Sequence, residues 1–136
     1  LRYTVQNIEK NGAKNATAVK GDIFESSLAD GEYDLIVSNP PYISQDEKKY
    51  MSPEVKFEPE TALIAEDNGL EFYKAIIKNY KNSLKTSGAF VFEVGFKQAD
   101  SIAALLKENG FENINIKKDL NGIGLAVAGK RNKNGN

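Results

Sequence analysis

DLIVSNPPYIS, residues 34–44, is the stretch on which the fold turns. An apolar run, Leu35-Ile36-Val37, stops at Ser38 and is followed at once by Asn39, Pro40, Pro41 and Tyr42. A short apolar run bounded by turn formers reads as a strand buried on both faces. The two prolines fix φ and remove two backbone donors. Carbonyls near them are then left to accept hydrogen bonds from elsewhere. A side-chain amide beside such a carbonyl makes a paired acceptor for an incoming NH2, and Tyr42 offers a flat face to a planar group. The corner therefore reads as a site that holds a planar amine or amide in one orientation. The plain alternative is a proline turn that packs its tyrosine. Average residue usage makes a chance Asn-Pro-Pro-Tyr in a chain of this length roughly a one-in-a-few-thousand event.

Upstream, Leu1, Val5 and Ile8 fall on one helical face, with Gly12 placed as its stop. ATAVKGD (16–22) reads as a short strand ending in Gly-Asp. Downstream, residues 45–66 are irregular and carry Pro53 and Pro59. A loop of about 20 residues inside a compact domain is commonly a lid or binding loop. Asp67 or Asn68 then reads as the cap of a helix with Leu70, Tyr73, Ile77, Tyr80 and Leu84 on one face. SGAFVFEVG (87–95) is a third buried strand. The helix after it, about 98–109, turns Ile102, Leu105 and Leu106 inward and ends at Gly110. NINIKKD (113–119) and IGLAVAG (123–129) alternate as strands around Asn121-Gly122, a hairpin signal.

Strands alternating with helices predict an α/β fold: a mostly parallel sheet, with one antiparallel strand added by the C-terminal hairpin. Ligands of such sheets bind beyond the carboxyl ends of the strands. Three of those ends carry polar groups, Asp22, Asn39 and Glu93, and parallel strands would bring them to one rim.

The 136 residues suit one domain. The absence of cysteine excludes disulfides and thiolate metal sites, and the absence of histidine removes the usual neutral-pH base and commonest metal ligand. A net charge of −1 lacks the overall basic footprint of a nucleic-acid binder. No apolar run approaches the ~20 residues of a membrane span. The chain begins inside an element without methionine, and is read as a fragment of a longer protein.

Asn-Pro-Pro-Tyr after an apolar strand resembles the motif of S-adenosylmethionine-dependent methyltransferases that modify planar nitrogens, among them adenine-modifying DNA enzymes. GDIFE (21–25), NPPYIS (39–44), VKFEPETAL (55–63), DNGLEFYKAII (67–77) and FEVGFKQ (92–98) stand in the order typical of one branch. By these motifs the chain resembles the release-factor glutamine methyltransferases over nearly all of residues 1–130. The resemblance implies a Rossmann-like methyltransferase sheet, S-adenosyl-L-methionine as cofactor, a glutamine-containing loop of a peptide-chain release factor as partner, and a cytoplasmic enzyme with no metal. It makes 1–130 part of a catalytic domain and 131–136 a disordered polar tail.

Carried over by position, Asp22 would accept from the adenine amino group of the cofactor; a turn aspartate is its alternative. Ile23 would pack on the adenine, and a core isoleucine explains it equally well. Asn39 and the Pro40 carbonyl would hold the substrate NH2 and serve the reaction, with Asn39 also bordering the cofactor. Tyr42 would act with them, and Pro41 would help wall the substrate. Glu58 and Pro59 would flank that pocket, or Glu58 is a solvated charge. Glu93 is either a site residue or a satisfied strand-end carboxylate.

Two features depart from the family. No Gly-rich turn follows a first strand; GIGLAVAG (122–129) is a late hairpin strand that opens no helix, and does not serve as one. That turn and the acidic ribose ligand are expected upstream of Leu1. Gly124-Leu125 stands where the family tends to carry Asp-Arg, which removes a local ion pair. A nucleic-acid adenine or guanine methyltransferase is the second reading, and an inert binding module on the same scaffold the third. The fragment alone is expected to be inactive. The open edge of DLIVS should either pair with a second copy or receive the 16–22 strand.

Overall fold

Phe90-Val91-Phe92 forms the centre of the sheet because aromatic and β-branched residues fit a pleated surface covered on at least one side. A computed structural model describes residues 1–25, 31–44, 46–50 and 62–132. Helix α1 is Arg2–Lys10, strand β1 Tyr33–Ser38, helix α2 Glu71–Tyr80, strand β2 Leu84–Glu93, helix α3 Ala99–Glu108, strand β3 Phe111–Lys118 and strand β4 Gly124–Arg131. The sheet order is β1-β2-β4-β3. β1 and β2 are parallel, and β4 runs antiparallel to both its neighbours. An α/β sheet with a single antiparallel strand is what the sequence predicts.

The core lies on the sheet face covered by α2 and α3. Tyr73, Ile76 and Ile77 of α2 and Ile102 and Leu106 of α3 are buried against Phe90, Phe92 and Val127. Phe90 stacks on Phe92 at 5.2 Å between ring centres, and Tyr73 meets Phe92 edge-on at 5.4 Å. Burying each such side chain stabilises the fold by about 1.5–3 kcal/mol. The Tyr73 hydroxyl donates to the Glu93 carbonyl at 2.8 Å. Burial pushes the Tyr73 phenol up, with Tyr42 and Glu93 adding to the shift. The folded state therefore holds this proton where the unfolded chain releases it. Its stabilisation is present below the ordinary phenol value and is lost as pH climbs above it. Tyr73→Phe is expected to lower stability by about 1 kcal/mol. Chemical denaturation of the intact protein would measure it; an unchanged midpoint would show the bond to be idle.

Four expectations need correction. β1 is an edge strand and is not buried on both faces: Tyr33, Leu35 and Val37 are 42%, 52% and 66% exposed, while Ile36 alone turns to the core. An alternating face is all the core requires of an edge strand. Residues 16–20 form no strand and Val19 is exposed, because among the described residues β1 pairs only with β2 and no ladder receives them. So 16–22 is not shifted onto the edge of DLIVS either. Asp67 and Asn68 do not cap α2. They enter a 3-10 turn, Asp67–Gly69, with φ of 52° and 54°, and α2 begins after Leu70. The Asp67 carboxylate pairs instead with Lys74. Finally, β4 runs one residue past the boundary drawn at 130: the Arg131 guanidinium donates to the Leu84 carbonyl. Residues 133–136 lie outside the described residues.

One more reading fails in part: α2 ends at Tyr80, so Leu84, read as the last member of that helix's apolar face, instead opens β2. The remaining turn and stop signals agree with the structure. α1 stops before Gly12, α3 before Gly110, and the β3–β4 hairpin turns at Asn121-Gly122. Asp119 organises that turn, its Oδ1 accepting from the amides of Asn121 and Ile123. α1 forms as its spacing predicts but buries none of its residues. Among the described residues no helix is long and apolar enough to cross a membrane.

Candidate active site

Ser38 of β1 is in register with Phe92 of β2, so both strands deliver their carboxyl ends to the same rim. The chain leaves β1 through Asn39, which is exposed, and Pro40, which is buried. Two cavities meet at this corner. The larger, about 800 Å³, has Lys20, Gly21, Asp22, Ile23 and Glu25 along one wall and residues 38–41 along another, with Ala62, Phe72 and Ile76 completing it. The smaller, about 430 Å³, is lined by residues 39–43 with Ala62 and Leu63. Asn39, Pro40, Pro41 and Ala62 line both. The proline corner is thus a partition between two adjoining spaces. Asp22 and Ile23 stand in one and Tyr42 in the other.

Asp22 belongs to no strand, yet it lines the larger cavity together with Asn39. Gly-Asp favours a turn, and here the Asp22 Oδ1 accepts from the Phe24 amide at 2.9 Å while its carbonyl accepts from the Glu25 amide at 3.0 Å. The aspartate is therefore a turn residue and a cavity residue at once. α2 clamps this turn. Asn79 Nδ2 donates to the Ile23 carbonyl at 3.0 Å, the Tyr80 hydroxyl donates to the Glu25 carbonyl, and Phe72 packs on Phe24 at 5.1 Å. Burial pushes the Tyr80 phenol up, and Asp22 and Tyr33 push it the same way, so it stays a donor. Ile23 is half-buried against the core, as either reading of it requires.

Beyond the corner, the Ile43 amide donates to the Leu63 carbonyl and the Ala65 amide to the Ile43 carbonyl, both at 2.9 Å. This short parallel bridge ties the exit of the motif to the returning end of the long loop. Glu58 and Pro59 lie outside the described residues. Glu93 shares the rim but lines neither cavity; its carbonyl is engaged by Tyr73.

Asn79, Tyr80 and Gln98 were not singled out as site residues from the sequence. Each bonds a partner 55 or 56 residues away, Ile23, Glu25 and Tyr42 in turn, which no local periodicity reports. Asn79→Ala is expected to cost about 1 kcal/mol of stability through the lost bond to Ile23. Thermal unfolding of the intact protein checks it, and an unmoved midpoint would show that Tyr80 and Phe72 hold the turn unaided.

The chain is 38% identical over 132 residues to a release factor glutamine methyltransferase of Fusobacterium nucleatum, a match covering 96% of this chain and 37% of that protein. One from Clostridium acetobutylicum is 36% identical over 133 residues, covering 92% of this chain and 47% of the relative. By sequence the chain belongs to the release factor glutamine methyltransferase family. It spans less than half the length of these two relatives. A bifunctional methyltransferase of Rickettsia felis is 45% identical over 100 residues, covering 73% of this chain and 19% of that protein. A crystal structure of a release factor-specific protein-(glutamine-N5) methyltransferase from Alicyclobacillus acidocaldarius aligns with a TM-score of 0.49 and 29% identity, over 81% of this chain and 55% of that one. No family model matches the chain.

Proposed function

We propose that the intact protein methylates a glutamine side-chain amide of a peptide-chain release factor, with S-adenosyl-L-methionine as methyl donor. The observation that carries this reading is the partition: Asn39, Pro40 and Pro41 line both cavities, so a donor in one and an acceptor in the other would meet across them. The larger cavity falls in the range of nucleoside-sized ligand sites and places a carboxylate, Asp22, and an apolar side chain, Ile23, on one wall. These residues fit the adenosine portion of the cofactor. When bound, the cofactor supplies an electrophilic methyl group.

The chain's own residues supply position and polarity. A glutamine amide nitrogen is a poor nucleophile because its lone pair is delocalised into the carbonyl. The Asn39 Oδ1 and the Pro40 carbonyl accept the two amide hydrogens and hold the nitrogen in one orientation. The Pro40 carbonyl is set in place by the proline corner, and both oxygens favour the positive charge that grows on nitrogen. The Tyr42 ring and Pro41 wall the amide in, with Glu58 and Pro59 assigned to the flank of the same pocket. No strong base is needed, since the proton leaves readily to water once the methyl is in place.

Residues 1–131 are assigned to the catalytic domain of this enzyme, β4 included, and a release-factor substrate implies a cytoplasmic enzyme. For the 136 residues alone, inactivity and pairing with a second copy are expected; β1 at the end of the sheet, with Leu35 and Val37 exposed, supports the pairing, and a monomer in light scattering would remove it. The test of function is methyl transfer by the intact protein to a release factor and, in parallel, to DNA. Label on a glutamine of the release factor supports the reading. Label on DNA alone overturns it in favour of a nucleic-acid methyltransferase.

A further inference from the structure

Gln98 is the residue that precedes α3, and it is buried, with 9% of its surface exposed. Every polar atom of its amide is used. Oε1 accepts from the Gly95 amide at 3.1 Å. Nε2 donates to the Tyr42 carbonyl at 2.9 Å and to the Asn68 carbonyl at 3.2 Å. One side chain thus joins the segment leaving β1, the segment leaving β2 and the turn before α2.

Two glycines make room for it. A Cβ on Gly69 would lie 2.2 Å from Gln98 Nε2 and 2.2 Å from the Tyr42 oxygen, and Gly69 has φ of +82°. A Cβ on Gly95 would lie 2.7 Å from Tyr42 Cδ2 and 2.8 Å from Gln98 Oε1. So the Tyr42 backbone and ring are both packed against this junction.

We propose that Gln98 is a positioning residue for the methyl transfer, one that fixes the Asn39-Pro40 acceptor pair by anchoring Tyr42. This deepens the function proposed above and rests on it. The corner has few soft torsions, because Pro40 and Pro41 each fix φ. Its start is fixed by the register of Ser38 with Phe92. Its end is held at the Tyr42 carbonyl by Gln98 and, one residue on, by the Ile43–Ile64 bridge. With both ends held, the Pro40 carbonyl and the Asn39 amide keep one direction. Releasing the end frees them to turn away from the substrate.

The amide itself is required. Glutamate has the same shape, but its ionised carboxylate donates nothing and would set an oxygen against the Tyr42 and Asn68 carbonyls. A protonated glutamate regains one donor. Methionine fills the space with no polar group at all.

The experiment compares Gln98→Glu and Gln98→Met with the unaltered intact protein. Single-turnover methyl transfer at saturating cofactor should fall by roughly 10- to 100-fold in both, the loss expected of misplaced reacting groups, while cofactor affinity by calorimetry is unchanged. The Glu variant's deficit should shrink as pH is lowered and the Met variant's should not. Hydrogen exchange should quicken at the Tyr42 and Ile43 amides and stay slow in β2 and α3. A Glu variant as fast as the unaltered protein at neutral pH overturns the proposal. So does a loss that tracks thermal destabilisation and weaker cofactor binding, with no separate effect on transfer. If the unaltered protein leaves release factor unmethylated, the proposed function fails, and hydrogen exchange alone decides whether Gln98 fixes the corner.

Discussion

Asn39→Ala is expected to slow methyl transfer by the intact protein 10²- to 10³-fold while leaving cofactor affinity nearly intact. The side chain is exposed at the partition between the two cavities. Its removal should disturb the fold little, since exposed substitutions away from special features stay within about 0.5 kcal/mol. What is lost is one of two acceptors for the substrate hydrogens. That acceptor matters most as positive charge grows on nitrogen, so its loss appears in the transition state more than in binding. Removing one preorganised hydrogen-bonding group of this kind costs about 2.7–4 kcal/mol. Single-turnover rates at saturating cofactor read the effect directly, free of product release. A variant that keeps most of its rate would place the substrate amide elsewhere in the smaller cavity.

The parts of the fold that were legible are those decided by adjacent residues. Phe90-Val91-Phe92, the Ile102/Leu106 stripe and Asn121-Gly122 carry their structure in their own spacing. The corner was legible for the same reason, since Pro40-Pro41 dictates its backbone locally. The burial of β1 was not, because Leu35-Ile36-Val37 reads alike whether one face or both are covered, and its position at the edge depends on what else pairs. Residues 16–22 failed likewise: a strand is stable only with a neighbour to complete its hydrogen bonds. Asp67 and Asn68 looked like caps, but the same residues are the ones that tolerate left-handed backbone, and here that property prevailed. The bonds from Asn79 to Ile23 and from Gln98 to Tyr42 were hidden because those partners are remote in sequence.

Asp22→Ala is expected to weaken S-adenosyl-L-methionine binding to the intact protein by roughly ten- to a hundredfold, the equivalent of the 1.5–3 kcal/mol carried by a hydrogen bond to a charged group. Transfer at saturating cofactor should be nearly unchanged, because Asp22 lines the larger cavity and not the smaller one assigned to the substrate. The alanine variant alone is ambiguous. It also removes the bond from the Phe24 amide to Oδ1 that shapes the turn, and a loosened turn would weaken binding by itself. Asp22→Asn separates the two roles. The asparagine oxygen can still accept from Phe24, so the turn survives, but an NH2 replaces the second carboxylate oxygen and faces the adenine amino group as donor against donor. If Asp22 binds the cofactor, the asparagine variant is weakened about as much as the alanine variant while its thermal midpoint stays high. An asparagine variant that binds with unaltered affinity would leave Asp22 a turn residue, and the adenine would have to be held by Ile23 and its neighbours without it.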